Sequence, residues 1–201
     1  MSADSNQLGQ TPSQTVGPYF AYGMSPEQYG YPLKSLAGAM VAGEAEPGEH
    51  VRLAGRVLDG NGAAVDDAVI ELWQADAQGR YAHPADPRRP NTGFTGFGRT
   101  GTGTDAEQRF WFDTVKPGAV DNGQAPHINL IVFMRGLLNH VHTRVYFSDE
   151  AELNATDPVL ILVPQARRQT LMASRHESSR GIEYRFDIRM QGEGATVFFD
   201  I

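Results

Sequence analysis

Residues 51–59 read VRLAGRVLD, residues 59–62 read DGNG and residues 68–75 read AVIELWQA. Both longer runs are rich in the β-branched and apolar residues that favour strands. Asp59, Gly60, Asn61 and Gly62 between them tolerate positive φ, so the segment predicts two strands joined as a β-hairpin. Working outward, residues 110–115, 128–134, 141–147 and 184–190 predict further strands, with a short one at 196–199. Residues 164–174, PQARRQTLMAS, predict a helix. Pro164 suits a first helical position, and Ala166, Leu171 and Met172 give it a face to bury. Residues 96–105, GFGRTGTGTD, follow no predicted strand and open no helix, so they read as a loop. No period of 20 to 50 residues repeats. Many short strands between turns, with one or two short helices, predict an all-β, antiparallel β-sandwich.

The chain has 201 residues, with 17 basic and 24 acidic side chains for a net charge of -7. An apolar fraction of 40% and a charged fraction of 20% argue for one folded domain rather than a disordered chain. The absence of cysteine excludes disulfides, thiolate metal sites and cysteine nucleophiles, so any metal must use His, Tyr, Asp or Glu. The first ten residues, MSADSNQLGQ, lack an apolar run, and no stretch approaches the ~18 apolar residues of a membrane span, which predicts a soluble cytoplasmic protein. The acidic balance without clustered Lys or Arg argues against nucleic acid as a partner. Residues 1–50 are rich in Pro, Gly, Ser and Tyr, with a weak helical pattern at 33–41. They read as an arm that packs on a partner chain, since Val16, Tyr19, Phe20 and Tyr22 would otherwise face water. Residues 51–201 form the sandwich.

Candidate chemistry is sparse. His140 and His142 lie two apart on a predicted strand and share a face, as a chelating pair would, although a polar sheet face explains them without a third ligand. His127 opens a strand after a Gly/Pro/Asn-rich loop, where side chains enter pockets from a rim. Glu71 and Trp73 share a face, and a Glu inside an apolar run needs a buried partner, for which Arg99 or Arg144 is suited. Arg135 follows INLIVFM and precedes Gly136, which places it at a sheet rim. No GxSxG, HExxH, Walker or dinucleotide motif occurs in the right context.

The segments ELWQADAQGRY, FGRT, TVKPG, APHINL, RVYF and YRFDI, in this order, resemble the intradiol ring-cleaving dioxygenases over residues 51–201. TPSQTVGPY in the arm and the ending QGEGATVFFD extend the resemblance to nearly the whole chain. They narrow it to the alpha chains of the two-chain members. The resemblance implies a β-sandwich and a non-haem Fe(III) held by two tyrosines and two histidines. It also implies cleavage of 3,4-dihydroxybenzoate (protocatechuate) with O2 to 3-carboxy-cis,cis-muconate, in aromatic hydrocarbon catabolism by the beta-ketoadipate pathway. Tyr81 and His127 occupy two donor positions. Val120 stands where the second tyrosine belongs, Asn129 where the second histidine belongs, and Gln124 where an active-site arginine belongs.

Valine cannot ligate, an amide is a poor substitute for imidazole, and a glutamine carries no fixed charge. The resemblance therefore implies a vestigial site with no catalytic residue and no metal in this chain, beside a homologous beta chain that carries the iron. It further implies that Thr15, Gly17 and Pro18 of the arm, together with Arg135, help bind substrate in that partner's pocket. Two other readings are a ligand-binding β-sandwich without dioxygenase activity and an autonomous metalloprotein using His127, His140 and His142.

Overall fold

The computed structural model describes residues 10–90, 92–121, 123–179 and 181–200. The strands are β1 (His50–Leu58), β2 (Val69–Gln74), β3 (Phe97–Gly101), β4 (Arg109–Val115), β5 (His127–Phe133), β6 (Val141–Phe147), β7 (Met172–Ser178), β8 (Gly181–Arg185) and β9 (Ile188–Arg189). They form one hydrogen-bonded path, β3-β2-β5-β6-β7-β8-β1-β4, with β9 beside β1. β7 connects its two halves. Met172 and Ala173 pair in parallel with Tyr146 and Phe147 of β6, and from Ser174 onward the strand pairs antiparallel with β8. A strand that changes partners in this way carries the chain between layers. Leu53, Val57 and Phe112 of one half share a single buried core with Leu72, Leu130 and Val145 of the other. Each such side chain contributes about 1.5–3 kcal/mol when fully buried.

The mostly-strand architecture matches the expected class, but three strand pairs are parallel: β1 with β8, β1 with β9, and β6 with β7. The predicted hairpin does not form between β1 and β2, which belong to opposite halves. Its turn does form: Asp59 N–H donates to Ala63 O at 2.9 Å, and Val65 N–H donates to Val57 O at 2.8 Å. The chain then leaves β1, because Ala68 N–H is taken by Thr102 Oγ1 at 3.2 Å, which starts β2 along β3 instead. Turn chemistry specified the reversal and tertiary pairing decided the partner.

The glycine-rich run at 96–105 is not all loop, since Phe97–Gly101 forms β3 against β2. Its glycines make room for the arm. A Cβ on Gly98 would lie 2.6 Å from Val41 Cγ2, and one on Gly101 would lie 2.3 Å from the Tyr29 hydroxyl. The segment predicted helical at 164–174 is a 3-10 stretch, Gln165–Leu171, that runs directly into the unpredicted β7. The strand expected at 184–190 is broken at Phe186 and Asp187. Residues 196–199 make only a bridge, Phe199 N–H to His142 O at 2.8 Å.

Arm residues 33–41 are not helical. Gly38 O accepts from Arg99 N–H at 3.0 Å and Val41 N–H donates to Asp113 O at 2.8 Å, so this stretch ties β3 to β4. Ahead of it lie a short helix, α1 (Phe20–Met24), and a 3-10 turn, Glu27–Tyr29. Ala21, Ser25, Val41 and Ala42 are buried, so much of the arm packs on its own sandwich.

Glu71 finds Arg99 directly across the β2–β3 ladder, with Glu71 Oε1 accepting from Nη2 at 2.6 Å and Nε at 2.8 Å. Both side chains are only 13% exposed. Removing one partner of such a pair strands the other's charge. Glu71→Ala should therefore lower the urea-unfolding free energy by about 3 kcal/mol, and Glu71→Leu with Arg99→Leu should lower it less than either single change.

Candidate functional site

The loop after β2 carries Tyr81, and a buried carboxylate shapes it. Asp76 Oδ1 accepts from the backbone N–H groups of Gln78 and Arg80, both at 2.9 Å, and Oδ2 accepts from Arg80 Nε at 2.8 Å. Gly79 sits at φ +72°, and a Cβ there would lie 1.9 Å from Ala119 O. Glycine thus lets this loop close on the loop bearing Val120, which Gly118 N–H ties to Asp76 O at 2.9 Å.

Tyr81 stacks on Trp73 with ring centroids 5.8 Å apart, and its Oη lies 3.4 Å from His127 Nε2. His127 is fully buried, and its Nδ1 lies 2.8 Å from Ala125 O. A carbonyl can only accept, so Nδ1 carries the proton and Nε2 accepts from the Tyr81 hydroxyl. Burial, followed by the nearby Arg144 charge, pulls the His127 imidazole down to about 4. The ring is neutral at pH 7. Burial pushes the Tyr81 phenol up, against smaller opposing effects from Asn129 and Arg144.

A second buried carboxylate fixes the rest of the rim. Asp157 accepts from Ala125 N–H at 2.8 Å, the Tyr146 hydroxyl at 3.0 Å, Val159 N–H at 2.9 Å and Leu160 N–H at 2.7 Å. Burial raises Tyr146 to about 12. Arg144 pairs in register with Asn129, and its Nη1 donates to Gln124 Oε1 at 2.8 Å. Val120 N–H donates to Gln124 O at 3.2 Å, and Asn129 Nδ2 donates to Trp73 O at 3.4 Å. Adjoining this rim and sharing Tyr81 with it, a recess of about 540 Å³ is lined by Trp73, Tyr81, His83, Asp86, Arg88 and Asp121.

Tyr81, Val120, Gln124, His127 and Asn129 are thus brought to one rim. The His140 and His142 rings lie 4.8 Å apart, but His142 stands opposite Ile131 and His127 opposite Tyr146. Four residues of ladder, about 13 Å, separate them, so the three histidines do not converge. At the other end of β5, Gly136 N–H donates to Thr15 Oγ1 at 2.9 Å, and Gly17 O accepts from Phe20 N–H at 3.1 Å as the chain turns at Pro18. Arg135, more than half exposed, pairs with Asp67. The arm residues and Arg135 therefore meet at one corner, away from the Tyr81–His127 rim.

The rim does not fit a ferric ion. Its two available donors are bonded to each other, the Asn129 amide is a weak donor, Val120 has none, and a guanidinium stands beside them. Among the described residues, no group of three or more His, Cys, Asp or Glu side chains could hold a metal.

A family model described as Dioxygenase matches residues 16–192. The chain is 57% identical over 195 residues to the protocatechuate 3,4-dioxygenase alpha chain of Burkholderia cepacia, covering 96% of this chain and 98% of that one. It is 49% identical over 199 residues to the alpha chain of Pseudomonas putida, covering 96% and 97%. The chain belongs to the intradiol dioxygenase family. Similarity extends to the Burkholderia cepacia beta chain, at 37% over 163 residues, covering 74% of this chain and 67% of that one. Among solved structures, the dioxygenase domain of a carbohydrate-binding fusion protein from Streptomyces sp. SirexAA-E shares the fold, with a TM-score of 0.60 at 24% identity over 94% of this chain and all of that one. Membership in this family of dioxygenases implies non-haem iron chemistry in the enzyme.

Sequence reasoning missed Asp76 and Asp157, and it considered Arg144 only as a partner for Glu71. An Asp before Pro158 and an apolar run is a capping signal that could have marked Asp157, and an Asp three residues before a turn glycine could have marked Asp76. The buried, neutral His127 sets a pH dependence. Its imidazole binds a proton near 6.5 in an unfolded chain but at about 4 in the fold, so its contribution to stability is full above pH 6.5 and is lost as pH falls through 4. At ~1.4 kcal/mol per unit, the loss is roughly 3 kcal/mol. His127→Gln should flatten that part of the curve, read from urea midpoints between pH 7 and pH 4.

Proposed function

We propose that this chain is the iron-free alpha subunit of a two-chain protocatechuate 3,4-dioxygenase. Its homologous beta partner holds the Fe(III) and cleaves protocatechuate with O2 to 3-carboxy-cis,cis-muconate. One observation carries the reading. In a chain that matches a named alpha chain over 96% of its length, two of the four donor positions hold Val120, which has no donor atom, and Asn129, whose amide is a poor ligand for Fe(III). The chain then acts through assembly and by forming part of the partner's substrate pocket, with residues 1–50 as the arm that packs on the partner. The meeting of Thr15 with Gly136, next to Arg135, supports one shared corner for those contacts. Residues 1–9 of that arm lie outside the described residues.

The test is expression of the full chain with and without the beta chain. The pair should purify as a coloured complex with equal numbers of the two chains, by native mass measurement. The chain alone should lack both iron and the tyrosinate-to-iron colour, and a coloured, active single chain would overturn the proposal. Deleting residues 1–19 should reduce assembly or activity.

Arg135 tests the pocket role. Protocatechuate is an anion, and catechol is not. Arg135→Ala in the complex should raise KM for protocatechuate by about fivefold, the ~1 kcal/mol of a water-screened charge pair, with little change for catechol. The penalty should shrink as salt rises. Equal effects on both substrates would assign Arg135 to packing instead.

A further inference from the structure

We propose that the Arg144 guanidinium takes the place of the lost metal: it is the fixed cation around which the remnant site closes, and its charge keeps a metal ion out even where donors are restored. The inference rests on the reading that this chain's own site holds no iron.

The register of β5 and β6 places Asn129 opposite Arg144 and His127 opposite Tyr146. Residues two apart on a strand share a face, and directly paired residues share it across the ladder. His127, Asn129, Arg144 and Tyr146 therefore project to one side of the sheet, where the resemblance places iron donors. The family's arginine is absent at Gln124, yet a guanidinium returns to that corner from the neighbouring strand, with Arg144 Nη1 bonded to Gln124 Oε1 at 2.8 Å. Positive charge is thus kept at the site while the anionic donors are reduced.

Arg144 is only partly exposed, and among the described residues it forms no ion pair with a carboxylate. The carboxylate in this network, Asp157, is one step removed and already accepts four hydrogen bonds, one of them from Tyr146. The guanidinium charge is therefore not neutralised by a direct partner. The remaining donors are engaged with each other, Tyr81 Oη with His127 Nε2 at 3.4 Å. A trivalent ion entering here would have to separate that pair. It would also sit beside an uncompensated like charge in a low-dielectric rim, where such repulsion is strong. Loss of donors alone predicts that restoring them restores binding. A resident cation predicts that restoration fails until the charge is removed.

The experiment compares full-length chains by iron content per chain and by the tyrosinate-to-iron band, with melting curves as a check on folding. Val120→Tyr with Asn129→His should remain nearly iron-free. Adding Arg144→Gln should raise bound iron by about tenfold, and adding Arg144→Lys instead should leave it low, since a like charge disfavours the cation. Arg144→Met serves as a second neutral variant. If both neutral variants unfold while the Lys variant folds, the fixed-cation role is supported. If the Lys variant unfolds with them, it is overturned. Equal iron in the two-substitution chain and in the folded neutral variants overturns the inference but leaves the proposed function standing. Stoichiometric iron in the unaltered chain overturns both.

Discussion

Asp157 is completely buried, and its carboxylate takes hydrogen bonds from Ala125 just before β5, from Tyr146 of β6 and from Val159 and Leu160 at the 3-10 turn Leu160–Leu162 that follows it. A charge taken out of water is tolerated only when its lone pairs are satisfied, so this residue constrains every group that satisfies it. Ala125 is held by its N–H, and the Ala125 carbonyl in turn fixes the His127 tautomer. Tyr146 is held by its hydroxyl and lies beside His127, with ring centroids 6.0 Å apart. The rim is therefore rigid for reasons that do not require a metal.

Asp76 performs the corresponding task on the opposite side of the rim. It ties the Tyr81 loop to the end of β2 and, through Gly118, to the Val120 loop. Two buried carboxylates thus hold the loops that bring Tyr81 and Val120 to one rim. Either carboxylate could be lost only with the collapse of several buried backbone hydrogen bonds. The donor side chains at 120 and 129 carry no comparable structural duty. They can change without unfolding the loop that presents Val120 or the strand that presents Asn129.

How much of this was legible depended on whether a signal was local. β4, β5 and β6 stood out as runs of alternating or continuous apolar residues, and the need of Glu71 for a cation was evident from its apolar neighbours. Arg99 answers it across the ladder. β3 was hidden because Gly98 and Gly101 lower strand propensity, yet those glycines are required by the arm that lies on them. β7 was hidden by a proline-led pattern that reads equally well as helix, and its role in joining the two halves is purely tertiary. The hairpin expectation failed for the same reason, since DGNG specifies a reversal but not which strand receives the returning chain. At the site, motif resemblance singles out Tyr81, Val120, Gln124, His127 and Asn129, and the fold brings these five to one rim. The link from Arg144 to Gln124 was not legible, because it spans two strands whose register no local pattern reveals.

The arm shows how one segment can serve two surfaces. Its inner face is anchored: Gln28 Nε2 donates to Gly101 O at 2.8 Å and Phe20 packs on Phe133 at 5.4 Å, while Val41 is buried in the main core. Its outer face leaves Tyr19, Leu33, Leu36 and Met40 largely exposed, with Leu36 98% exposed. Single exposed apolar residues are ordinary, but Leu36 and Met40 flank backbone bonds from Gly38, Ala39 and Val41 to β3 and β4, and fixed apolar side chains of this kind are suited to burial against another chain. Anchoring reduces the conformational entropy that such burial would otherwise cost. From Phe20 onward the arm fits the proposed pairing because it is already anchored on its own sandwich, whereas a free tail would have to be ordered by the partner.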